Sequence, residues 1–111
     1  MSGDRRIVWS DAAESMLDEI VASIAEDSPK SAMAVLSRIR AHVDGLGRSP
    51  QGGRYVPELL EFGIRAYREV VVKSWRVVYR ASEDAVHILV VIDGRRNVSD
   101  YLLRELYRGN L

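Results

Sequence analysis

The sequence predicts an α+β fold with the order β-α-α-β-β-β-α, a helical hairpin packed on a small, mainly antiparallel, twisted sheet. Three observations predict it. Residues 11–46 carry two amphipathic stripes at helical spacing, parted only by a Ser-Pro boundary. Residues 65–92 hold three strand-like runs joined by short connections. A last periodic segment follows an Asp-Gly corner. Helices gathered at one end of the chain and strands at the other point to segregated layers rather than alternating βαβ units.

Residues 6–9 read as a short strand, with Ile7 and Trp9 on one face. Ser10 is placed to cap a helix over residues 11–25, and Asp11 and Glu14 set carboxylates in its first turn, where the helix dipole favours them. Ala13, Met16, Leu17, Ile20 and Ile24 recur at helical spacing. Ser28 caps again, and Pro29 suits a first helical position because its missing N–H would have no partner there. Ala32, Leu36, Ile39, Val43 and Leu46 then form the stripe of a long second helix, with Gly45 and Gly47 as its stop signal. The short link makes the two helices an antiparallel hairpin.

Residues 47–55 form a loop rich in Gly, Pro and Ser. Residues 56–62 suggest a short irregular strand, with Pro57 at an edge or entry position and Gly63 breaking it. Strands are expected over residues 65–72, 75–81 and 86–92. Lys73-Ser74 is short enough for a tight hairpin, although neither residue favours the positive φ of such turns. In the middle run Trp75, Val77, Tyr79 and Ala81 face one way and Arg76, Val78 and Arg80 the other. The third run is apolar on both faces, as in a strand covered on both sides. Asn97 or Ser99 caps a last helix through Tyr107, with Val98, Leu102 and Leu106 inward.

A chain of 111 residues suits a single domain, residues 1–111, with one real core. It has no Cys, which fits a reducing compartment. No apolar run approaches the roughly 20 residues that span a bilayer. With no signal-like N-terminus either, a cytoplasmic protein with no membrane partner is expected. Basic and acidic side chains balance at 16 each, so the excess of a non-specific nucleic-acid binder is missing. Fourteen of the basic residues are Arg, which favours fixed, planar contacts over diffuse charge. His42 and His87 have no neighbours at ligand spacing, and no metal or cofactor is expected.

Three groups of residues carry a resemblance to a family. Val8-Trp9-Ser10, with Ala12-Ala13, Leu17 and Ile20, opens the chain. Arg54-Tyr55-Val56-Pro57-Glu58-Leu59 leads into the sheet. Arg65-Ala66-Tyr67-Arg68-Glu69, Trp75 to Arg80, Ile88 to Val91 and Gly94-Arg95-Arg96 follow in order. Together they resemble the RelE/ParE superfamily of bacterial type II toxins over nearly the whole chain. The resemblance implies a cognate antitoxin that folds along the toxin in a hetero-oligomer. Such a segment must offset its ordering entropy by covering apolar surface. Candidate antitoxin-binding residues are Val21, Met33, Val35, Leu103 and Tyr107.

The superfamily has two branches. One cleaves messenger RNA on the ribosome without metal, using basic side chains against the phosphate and a Tyr or Arg for proton transfer. Carried over, that set is Arg68, Arg76, Arg95 and Tyr101, but Val70 stands where the branch has its second paired cation. The other branch inhibits DNA gyrase by binding, implies no catalytic set, and brings growth arrest and plasmid stabilisation. The Val-Pro-Glu-Leu and Gly-Arg-Arg segments and the balanced charge resemble this ParE-like branch. Its target-binding candidates are Arg76, Arg80, Arg95 and Arg96, and the target is gyrase. A family member acting only as an antitoxin-binding module is the third reading. For Arg76 and Arg80 the plain alternative is pairing with Glu69 and other carboxylates across the sheet.

Overall fold

The computed structural model describes residues 4–111. The elements run β1 (Arg6–Trp9), α1 (Asp11–Asp27), α2 (Pro29–Gly45), β2 (Arg54–Tyr55), α3 (Pro57–Leu60), β3 (Arg68–Val72), β4 (Trp75–Ala81), β5 (Ala85–Asp93) and α4 (Val98–Tyr107). The caps lie where their chemistry placed them. Ser10 Oγ accepts the Ala13 N–H at 3.0 Å, Ser28 Oγ accepts the Ser31 N–H at 3.1 Å, and Asn97 Oδ1 accepts the Asp100 N–H at 3.1 Å.

The five strands form one sheet in the order β1-β5-β4-β3-β2. Strand β1 runs parallel to β5, and the other pairings are antiparallel. The α1–α2 hairpin covers one face, where Leu17, Val35, Ile39 and Val43 meet Val77, Tyr79, Val86, Ile88 and Val91. The short α3 and α4 cover the other face, where Val56, Leu59, Val98 and Leu102 meet Val78, Val90 and Ile92. Strand β5 is thus buried on both sides. Its pairing with β4 steps from Val78↔Val90 to Tyr79↔Ile88, leaving Leu89 as an extra residue. That bulge lets Ile88 and Val91 face the hairpin while Val90 and Ile92 face α4.

Two expectations are corrected. Residues 56–62 do not form a strand: Tyr55 ends a two-residue β2, and Pro57 begins α3. Proline's fixed φ and absent N–H start a helix as readily as they enter a strand edge. Here the three-residue spacing of Val56 and Leu59 puts both into the second core. The third strand starts at Arg68, not Arg65, because only Arg68 and Glu69 find partners on β2. At the β3–β4 turn Lys73 takes the left-handed conformation, φ 56°. No helix among the described residues is long and apolar enough to cross a membrane.

Candidate functional site

Arg76 lies on the sheet face covered by α3 and is only 8% exposed. Its Nε donates to Glu69 Oε1 at 2.8 Å, and its two terminal nitrogens donate to both Glu58 oxygens at 2.7 and 2.6 Å. The pairs sit on opposite sides of one guanidinium, so its hydrogen-bonding edges are occupied. Glu69 is itself buried and takes a further bond from Arg54 Nε at 2.7 Å. The hydrogen bonds from Arg76 hold the Glu58 carboxyl below the usual carboxylate range. The Glu58 bonds, then those of Glu69, push the Arg76 guanidinium still higher. Gly94 closes the site, since a Cβ there would stand 3.1 Å from Arg76 Cδ.

A cleft of about 480 Å³ opens between α1, the β4–β5 end of the sheet and the start of α4. Met16, Ile20, Ile24 and Trp75 give it an apolar floor, and Arg95, Arg96 and Tyr101 stand at its rim. Arg95 is exposed and bonds Asp93, with 2.6 Å from its terminal nitrogen to Oδ2. Those bonds hold the Asp93 carboxyl down at about 2. The Arg96 side chain is exposed and makes no ion pair or hydrogen bond among the described residues. The Tyr101 hydroxyl reaches Met16 Sδ at 4.0 Å, and burial raises its pKa. A half-apolar cleft edged by planar cations and a phenol suits binding of a polypeptide or nucleotide surface.

The sequence-derived sets are therefore divided. Arg95, Arg96 and Tyr101 share the cleft. Arg76 lies beneath the Gly94 corner, turned into its two carboxylates, so the pairing alternative describes it. Arg80 is exposed near the far end of β4. Arg68, at the start of β3, donates to Gly53 O at 2.9 Å and stacks its guanidinium 4.2 Å from the Tyr55 ring centroid. The four residues of the nuclease reading do not converge on one point.

Of the antitoxin candidates, Met33 is 61% and Tyr107 92% exposed. Val21 is half-buried against the hairpin core and Leu103 half-buried against the second core. Val35 is 6% exposed and belongs to the core, so the premise of free apolar surface fails there. Met33 and Tyr107 sit on helices covering opposite sheet faces. Glu58, Asp93 and the apolar floor of the cleft were not assigned to a site from the sequence. Glu58 follows Pro57 at a helix start, a signal visible only once α3 is recognised. No group of three or more His, Asp or Glu among the described residues is placed to hold a metal.

The strand order, the hairpin over one face and the Gly-Arg-Arg rim agree with the build of the RelE/ParE superfamily. A family described as "ParE toxin of type II toxin-antitoxin system, parDE" matches residues 7–98. The chain belongs to the ParE toxin family of type II toxin-antitoxin systems. It is 38% identical over 90 residues to Y4kP of Sinorhizobium fredii, covering 79% of this chain and 86% of that protein. It is 32% identical over 98 residues to toxin ParE3 of Caulobacter vibrioides, covering 87% and 94%. Among solved structures, a chain of the chromosomal ParDE system from P. aeruginosa superposes with TM-score 0.66 at 18% identity, covering 83% of this chain and 98% of that one. A chain of the toxin-antitoxin complex RelBE2 from Mycobacterium tuberculosis gives 0.54 at 18%, covering 84% and 94%. At those identities the two structures speak to the fold alone.

Proposed function

We propose that the chain is a gyrase-inhibiting toxin of the cytoplasm, held inactive by a cognate antitoxin. The observation that carries this reading is the state of Arg76. Metal-independent RNA cleavage needs several cations converging on one phosphate, since electrostatic stabilisation of the transition state supplies most of the rate. Here Arg76 is engaged by Glu58 and Glu69, Arg68 is engaged elsewhere, and Val70 carries no charge. What is left is a binding surface, with Arg95, Arg96 and Tyr101 around an apolar floor. Membership of the ParE family supports inhibition by binding rather than by catalysis.

An antitoxin partner is supported by the same membership and by the exposed apolar side chains Met33 and Tyr107. Because these lie over opposite faces of the sheet, a partner covering both must wrap around the domain. The fold neighbours come from a ParDE system and a toxin-antitoxin complex, which agrees with such an assembly.

Induction of the chain without antitoxin tests the proposal. Gyrase inhibition is expected to relax plasmid DNA and arrest growth while messages stay intact. Cleaved messages with normal supercoiling would favour the ribonuclease reading. Normal growth with both intact would favour a binding module.

A further inference from the structure

A second cationic cleft lies at the opposite end of the sheet, where β4 turns into β5. Its volume is about 440 Å³, and its walls include Arg5, Arg65, Arg68, Gln51, Tyr55 and Glu83. Three arginines and one glutamate line it, on a chain whose net charge is zero. No ion pair joins Glu83 to any of the three arginines among the described residues.

Two of these arginines are already positioned. Arg5 donates its Nε to Ser82 O at 2.9 Å, with its terminal nitrogens making no further bond among the described residues. Arg68 is fixed by Gly53 O and by the Tyr55 ring. Fixed side chains lose little rotamer freedom on binding, and a guanidinium fork matches a carboxylate two bonds at a time. Arg65 is exposed and makes no hydrogen bond or ion pair among the described residues.

We propose that the cleft between Arg5, Arg65 and Arg68 binds an acidic polypeptide segment through its carboxylates. A peptide fits better than a nucleic-acid strand. A run of phosphates would meet Glu83 inside the cleft, and the neutral chain offers no long-range attraction to a polyanion. A peptide needs only one or two carboxylates, and its backbone amides match Gln51 and Glu83. The site is separate from the Arg95–Arg96 rim and does not depend on gyrase as target.

The test is fluorescence anisotropy on the full chain with two labelled probes, a short capped peptide of alternating Glu and Gly and an oligothymidylate of equal charge. Peptide binding should weaken about fivefold in Arg65→Gln, the scale of one charge-assisted fork. It should tighten about twofold in Glu83→Gln, which removes a negative charge that repels the incoming carboxylates, without touching the core. Side-chain N–H signals of Arg65 and Arg68 should shift on titration while those of Arg95 and Arg96 stay still. Absence of peptide binding, insensitivity to both substitutions, shifts confined to Arg95 and Arg96, or tighter binding of the oligothymidylate would each overturn the proposal. Gyrase inhibition unchanged in Arg65→Gln keeps this result independent of the functional reading above.

Discussion

Arg76 gives its Nε to the buried carboxylate of Glu69 at 2.8 Å, and that bond ties β4 to β3 beneath the corner carrying Arg95 and Arg96. A cation central to any nuclease reading thereby becomes a structural tie. Removing it should act on stability first. Arg76→Ala leaves Glu69 buried with Arg54 as its remaining arginine partner, and a loss of about 3 kcal/mol is expected by urea unfolding. Arg76→Met combined with Glu69→Gln removes both charges and should recover most of that loss. If Arg76→Ala unfolds at the parent midpoint, the tie is not structural.

The Tyr79 hydroxyl donates to Pro50 O at 2.7 Å and accepts the Gly53 N–H at 2.9 Å, pinning the loop after α2 to the sheet. Tyr79→Phe orphans two buried backbone groups and should cost about 1–3 kcal/mol by thermal or urea denaturation. Gly53→Ala should do at least as much harm. Its Cβ would stand 2.5 Å from Glu69 O and 2.7 Å from the Tyr79 hydroxyl, and the Glu69 oxygen is backbone that cannot step aside.

Lys73 holds φ 56° in a two-residue turn, a conformation that costs a residue with a Cβ about 1–2 kcal/mol. Glycine removes that cost but gains freedom in the unfolded chain, which offsets about 0.4–1 kcal/mol. Lys73→Gly should therefore raise the melting temperature slightly, by a net gain of up to about 1.6 kcal/mol. A lower Tm would show that the Lys73 side chain contributes something beyond its backbone geometry.

Two carboxyls with lowered pKa values bear on the response to acid. Asp93 is held down at about 2 by Arg95, and Glu58 is lowered by Arg76. A depressed folded pKa means stabilisation that is complete above the unfolded value, near 3.8 for Asp93, and lost as pH falls toward about 2. Stability should be flat through neutral pH on this account and fall below about pH 4. Asp93→Asn should flatten part of that fall. Equal acid sensitivity in the Asn variant would mean that the pair contributes nothing measurable, as exposed pairs often do.

Much of the frame was legible in the residues themselves. Ser10 and the Ser28-Pro29 pair carry cap chemistry that few other conformations use. The valine and isoleucine runs of β3 to β5 mark strands, and alternation in the β4 run alone gives its two faces. The errors fall where local signals are degenerate. Val56-Pro57-Glu58-Leu59 suits a strand edge or a helix start equally, and only the second core beneath it decides. Val35 lies one residue from the stripe position Leu36, and the buried face of α2 is wide enough to take both. Alternation put Arg76 on the correct face. It carried no sign that α3 would bring Glu58 across to cover it, because that contact depends on the unrecognised helix. The Leu89 bulge likewise leaves no mark in an all-apolar strand.

The most direct test of the central claim is a supercoiling assay of purified gyrase with the parent chain and with Arg96→Glu, a substitution at an exposed side chain without an ion pair among the described residues. The parent should inhibit supercoiling, and Arg96→Glu should raise the required concentration about tenfold, on the scale of a lost cationic contact at an interface, with an unchanged melting temperature. Undisturbed supercoiling by the parent chain, at concentrations where translating ribosomes lose their messages to it, would contradict the account.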